Sequence, residues 1–199
     1  MSSLPHIRLT PDEYLAAERR ATYKSEYVAG EVFAMSGATL RHSLIATNIA
    51  AELRQRLKGR DCTVHASDLR VGTPAGNYFY PDVVVVCGEP VYADDHRDTI
   101  LNPILIVEVL SDSTPDYDRG GKFAQYRRLA SLQEYLVVAQ TAPCVEHHTR
   151  QADGCWLLHE TSDLTAVLTL ASIGCQLPLA EIYDKVTFAV ANPVEGATP

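Results

Sequence analysis

An apolar strand with one acid inside it constrains this chain more than any other feature. Residues 103–110 read PILIVEVL, rich in Ile and Val and interrupted only by Glu108. A run of that length and composition is a strand buried on both faces. An ionised carboxylate there costs several kcal/mol unless a positive partner meets it. Residues 80–86 repeat the statement, with Asp82 near the start of a Val run and no other charge. Two acids on two buried strands call for a common cation, and a divalent metal ion is the simplest. Lys122, on the helix expected next, is a second positive partner.

The rest of the chain supplies the frame. Thr10-Pro11-Asp12-Glu13 opens a helix that runs to about Ala21, with a capping Thr, Pro at the first helical position and acids near the positive end. Residues 24–35 read as a short hairpin turning at Ala29-Gly30, with Glu26 on one arm and Glu31 on the other. The clearest helix covers 41–57. Leu44, Ile45, Ile49, Leu53 and Leu57 form one stripe, and Gly59 ends it. Strands are expected over 62–71, 78–87, 104–110, 134–139, 145–150, 155–160 and 166–170, with a polar loop over 88–99. Residues 111–117 form a loop punctuated by Pro115, and 118–129 a helix. Gly120 and Gly121 sit poorly inside that helix and suit a place where backbone must come close to something. Strands alternating with helices specify an α/β domain with a mixed central sheet.

A chain of 199 residues is long enough for one domain with a proper core, expected over 1–190, with a frayed tail over 191–199. The formal net charge of −8 argues against a protein that coats DNA nonspecifically, which needs a basic surface. It leaves room for a small basic cleft on an acidic body. The five cysteines show no CxxC spacing and read as free thiols of a reducing compartment. No targeting pattern and no apolar run of membrane length is present, so a cytoplasmic protein without membrane contact is expected.

Spacing supports a site. Ile106, Glu108 and Leu110 share one strand face, and Lys122 and Tyr126, four apart, share one helix face. A short loop then lets Lys122 reach Glu108. Each residue also has a structural reading. Asp82 suits a strand cap, Glu108 and Lys122 a structural ion pair, and Tyr126 a place in the core. Glu26 and Glu31 suit solvated hairpin charges, His42 a polar residue of a helix N-terminus, and Asp68 a hydrogen-bond acceptor at a strand end. His147 and His148 are adjacent on a strand, face opposite ways and cannot chelate one ion together.

Taken in order, Glu26-Tyr27-Val28-Ala29-Gly30-Glu31, Arg41-His42-Ser43, Pro81-Asp82, Glu108-Val109-Leu110-Ser111, Asp118-Arg119-Gly120-Gly121-Lys122, Tyr126 and Glu134-Tyr135-Leu136-Val137-Val138 resemble the Uma-two family of the PD-(D/E)XK nuclease superfamily. The resemblance covers most of the chain up to about residue 140. It implies a restriction-endonuclease-like core, a mixed sheet flanked by helices, with an added N-terminal helix and hairpin. It implies Mg²⁺ or Mn²⁺ at Asp82, Glu108 and the Val109 backbone carbonyl, Lys122 as a catalytic residue, and DNA as substrate. Glu26, His42 and Tyr126 are possible additional site residues. One departure stands out: Leu110 occupies the place of the superfamily lysine, and Lys122 looks like its migrated replacement. By analogy with restriction enzymes that cut both strands, a homodimer is expected. The alternative is a nuclease-like fold used for binding or assembly without turnover, which the acidic charge and Leu110 favour. Hydrolysis of small phosphate esters is a third, remoter reading.

Overall fold

Turn and cap residues set most of the boundaries in the computed structural model, which describes residues 8–111 and 117–188. Helix α1 (Pro11–Glu18) begins with a capping box: the Thr10 hydroxyl accepts from the Glu13 N–H at 3.3 Å and the Glu13 carboxylate from the Thr10 N–H at 2.8 Å. It stops short of Ala21, and just beyond its end Arg19 turns to Asp94 and Asp98, at 2.7 and 2.8 Å. Strands β1 (Ser25–Val28) and β2 (Glu31–Ala34) make the expected hairpin around Ala29 and Gly30, both with positive φ. Helix α2 (Leu40–Arg56) buries Ile45, Ile49 and Leu53 completely, and Gly59 at φ 80 follows it.

Two expected strands are each divided. Residues 62–71 become β3 (Cys62–Ala66) and β4 (Arg70–Gly72), separated where Ser67 takes φ 52. Residues 78–87 become β5 (Tyr78–Phe79) and β6 (Val83–Cys87), which belong to different sheets. Pro81 between them has no N–H to give a ladder. Asp82 therefore lies just before β6 rather than within a continuous strand. The acidic loop after Cys87 ends in β7 (Thr99–Ile100), followed by β8 (Leu105–Val109), all five residues of which are buried.

The helix expected over 118–129 is shorter: a π-helical turn, Tyr117–Lys122, passes into α3 (Phe123–Tyr126). Gly121 explains part of this. A Cβ there would stand 2.5 Å from the Tyr117 ring, so only glycine lets that ring lie against the turn. Strands β9 (Glu134–Val138), β10 (Val145–Arg150), β11 (Trp156–Thr161) and β12 (Val167–Leu170) fall close to their expected places. Strand β13 (Cys175–Pro178) and helix α4 (Leu179–Ile182) are additions to the sequence reading. The expected loop around Pro115 and the tail 191–199 lie outside the described residues.

A six-stranded sheet, β11-β10-β9-β8-β6-β3, runs through the centre. It is mixed: β8 pairs parallel with β9 and antiparallel with β6. Val107 and Val109 face α2 and the C-terminal elements on one side, and Ile106 and Leu110, with Tyr135 of β9, pack with Tyr126 on the other. A five-stranded sheet, β2-β1-β5-β4-β7, and the β12-β13 pair complete the fold. No helix among the described residues is long and apolar enough to cross a membrane.

The free-thiol reading of all five cysteines is corrected. Cys62 and Cys87 form a disulfide, while Cys144, Cys155 and Cys175 are free. The two partners face one another across the β3–β6 ladder, a register that spacing rules do not encode. Closing a loop of 25 residues this way stabilises the fold by about 3 kcal/mol. We expect reduction to lower Tm by about 6–12 °C. Thiol titration in denaturant without reductant checks the pairing: three reactive thiols are expected, and five would refute it.

Candidate active site

Sheet register brings the two acids together. Val83 pairs with Val107 in the antiparallel β6–β8 ladder, which leaves Asp82, just before β6, level with Glu108 near the end of β8. Asp82 Oδ2 accepts the Val109 N–H at 2.7 Å, which fixes the carboxylate at the end of β8. From the first turn of α2, His42 Nε2 comes within 3.3 Å of the same oxygen. The other ring nitrogen, Nδ1, is buried with no hydrogen-bond partner among the described residues.

Glu108 points into the face that carries the π-helical turn. Its Oε1 accepts from the Tyr126 hydroxyl at 2.9 Å and faces Lys122 Nζ at 3.3 Å. Lys122 is itself buried, and two more carboxylates close around it: Glu26 Oε1 at 3.0 Å and Asp118 Oδ1 at 3.4 Å. Glu26 arrives on β1 because that strand pairs with β5; its Oε1 also accepts the Tyr80 N–H at 3.3 Å. Tyr135, alongside, donates its hydroxyl to the Asp118 carbonyl at 2.8 Å and so anchors the turn.

The electrostatics follow from burial and the surplus of acids. Burial pushes the Glu108 carboxyl well above its ordinary range; Lys122 opposes this, and Asp82, Asp118 and Glu26 add to it. For Lys122, burial acts downward, but Glu108, Glu26 and Asp118 together hold the ammonium above its usual value. Lys122 is thereby held as an ammonium at the centre of three carboxylates. Burial likewise acts downward on His42, and Asp82 and the Val109 backbone outweigh it, raising the imidazole overall. Tyr126 is held well above the ordinary phenol range, by burial first and then by Glu108.

Asp82, Glu108, Lys122, Glu26, His42 and Tyr126 thus gather in one place. The reading of Glu26 as a solvated hairpin charge is corrected: it is buried against Lys122. Glu31, its neighbour on β2, does remain exposed and pairs with Arg8. Lys122 is no surface lysine, and Tyr126 is both fully buried and bonded to Glu108. Asp118 was missed as a member of the site, although its spacing from Lys122, four residues along a helical turn, signals the contact. Asp68 pairs with Lys24 at the surface. His147 turns to Glu134 and His148 lies against Phe123, so the two do not share a ligand.

The donors around this centre are hard oxygens, with buried negative charge in excess of Lys122. That chemistry suits Mg²⁺ or Mn²⁺. As they stand, no three His, Cys, Asp or Glu side chains among the described residues converge into a ready metal cage. Glu108 instead rests on Lys122 and Tyr126. Leu110, at the place of the superfamily lysine, is buried and apolar, and Lys122 enters from the following turn.

Comparison with known proteins agrees with this architecture. The family model described as "Uma2: Putative restriction endonuclease" matches residues 11–180. An uncharacterized protein of Synechocystis sp., sll1609, is 39% identical over 153 residues, covering 76% of this chain and 86% of its own. A second from the same organism, slr1290, is 38% identical over 191 residues, covering 94% of this chain and 97% of its own. The fold resembles a crystal structure described as "a putative nuclease belonging to DUF820" from Anabaena variabilis, with a TM-score of 0.71 at 15% identity over 88% of this chain and 97% of that one.

Proposed function

This chain belongs to the Uma2 family, and from that premise we propose that it is a divalent-metal-dependent nuclease that hydrolyses phosphodiester bonds in DNA. The observation that carries the reading is the burial of Glu108, Glu26 and Asp118 around one lysine, with Asp82 held at the end of β8 by the Val109 N–H. Asp82, Glu108 and the Val109 carbonyl are the residues that would hold Mg²⁺ or Mn²⁺. Such an ion, when bound, activates water and neutralises charge that builds on the phosphate. Lys122 supplies a preorganised positive charge for the same developing anion. Glu26 and Asp118 keep the Lys122 ammonium in place and charged, and Tyr126 orients Glu108 through Oε1. Two copies acting on one duplex would account for cleavage of both strands, and a homodimer is the assembly we propose for that reaction.

A second reading has an observation in its favour. Lys122 already stands against Glu108, and the whole chain carries a net charge of −8. A nuclease-like fold that binds or assembles without turnover would keep that pair as a permanent ion pair. Calorimetry with Mn²⁺ and Mg²⁺ on the full chain, with and without a DNA duplex, separates the two. We expect wild type to bind the metal and Asp82→Ala to bind at least about tenfold more weakly. A wild-type protein that takes up no metal under either condition leaves only the second reading.

A further inference from the structure

We propose that His42 Nε2 is a direct ligand of the divalent cation, beside Asp82, and that this imidazole makes the site prefer Mn²⁺ to Mg²⁺. The inference rests on the metal-dependent reading above and adds a donor of a different chemical kind to an otherwise all-oxygen set.

The spacing is the first argument. His42 Nε2 and Asp82 Oδ2 lie 3.3 Å apart. Two donors bound at right angles to one octahedral ion, each at about 2.1 Å, stand about 3.0 Å from one another. The two groups now meet directly, and a change of a few tenths of an ångström brings them to the spacing of adjacent ligands. The ring also lies against the Val109 backbone, whose carbonyl is a candidate ligand in its own right.

The second argument is that capping of the helix does not use the imidazole, which is turned instead to Asp82 and the Val109 backbone. The first turn of α2 is capped by Thr39, whose hydroxyl accepts the His42 backbone N–H at 3.1 Å, so capping does not involve the ring. The side chain is only 14% exposed, which sets it apart from a solvated surface histidine. Nδ1 is buried and unpartnered among the described residues, and the side-chain contact of the ring is made by Nε2 with Asp82. Nε2 is thus the edge that faces the chemistry.

The third argument is donor type. Imidazole nitrogen is a softer ligand than carboxylate or carbonyl oxygen. Mg²⁺ holds to oxygen and to its own waters, whereas transition ions accept nitrogen readily. Asp82, Glu108 and the Val109 carbonyl alone would discriminate weakly between the two ions. Adding His42 tilts the site toward Mn²⁺.

The test is electron spin-echo envelope modulation of Mn²⁺ bound to the full chain, unlabelled and grown with nitrogen-15 histidine, together with calorimetry on wild type, His42→Gln and Asp82→Ala. The wild-type spectrum needs no variant to fold, and circular dichroism checks those that are used. We expect nitrogen modulation that changes with the label and vanishes in His42→Gln. Mn²⁺ affinity should fall at least about tenfold in that variant, with Mg²⁺ affinity held within about twofold. Mn²⁺ that binds through Asp82 without nitrogen modulation overturns the role of His42 and leaves the metal reading intact. Wild type that binds no Mn²⁺ overturns both.

Discussion

Glu108→Gln is expected to lower metal-dependent cleavage of plasmid DNA by about a thousandfold or more while the protein stays folded. That loss corresponds to about 4 kcal/mol of transition-state stabilisation. Glutamine keeps the size of the side chain and keeps an oxygen to accept the Tyr126 hydroxyl, now 2.9 Å from Oε1. What it removes is the charge. Lys122 loses one of three carboxylates and keeps Glu26 and Asp118, so its ammonium remains paired. Burial penalises the charge of the carboxylate removed, so the variant should match or exceed wild type in stability. Loss of activity with unchanged or higher Tm separates a catalytic acid from a structural one. Retained cleavage by Glu108→Gln would falsify the assignment, and a large drop in Tm would mark Glu108 as a member of a structural ion pair.

How far the sequence led depends on where each signal lies. Glu108 was legible because its own strand is so apolar that one acid cannot be incidental. Lys122 was legible because it and Tyr126 are four apart on the helix after that strand, and both do reach Glu108. Asp118 had the same kind of local signal toward Lys122, and its place in the site follows from it. Glu26 carried no such mark. Its burial arises from the pairing of β1 with β5, in which Tyr27 meets Tyr78, and no local pattern in a four-residue strand encodes a partner fifty residues away. The disulfide is hidden for the same reason, since Cys62 and Cys87 meet through register alone.

Boundaries failed where the backbone departs from an average. The apolar residues on both sides of Pro81 read as one strand, yet the proline divides them between two sheets. This break has a consequence for the site. It frees Asp82 from the ladder, so its Oδ2 can meet both the Val109 N–H and His42 Nε2. In the turn before α3, the glycines do more than weaken a helix. Gly121 makes room for the Tyr117 ring, and the wide π-helical turn carries Asp118 and Lys122 inward together. Propensity alone gives the weakness of that helix but not the use made of it.

Lys122→Met should destabilise the fold by about 3–5 kcal/mol near pH 8, because it leaves Glu26, Glu108 and Asp118 buried without their cation. The corresponding fall in Tm is about 6–20 °C for a chain of this size. Methionine fills most of the same space, so packing contributes little to the loss. The pH dependence gives the mechanism a second check. The folded-state value of Glu108 is raised above its ordinary 4.5, so the native state binds the extra proton. Its contribution to stability is fully present below about pH 4.5 and is lost as pH rises through the raised value. Without Lys122, which holds that value down, the rise is larger and the loss extends further into the alkaline range. Urea unfolding of both proteins at pH 5 and pH 8 should therefore show a gap that widens with pH. Lys122→Arg keeps the charge and should recover part of the stability, although its planar guanidinium fits three converging carboxylates less well than an ammonium does. A gap below about 1 kcal/mol, or one that does not change between the two pH values, would mean that these carboxylates find their counter-charge elsewhere.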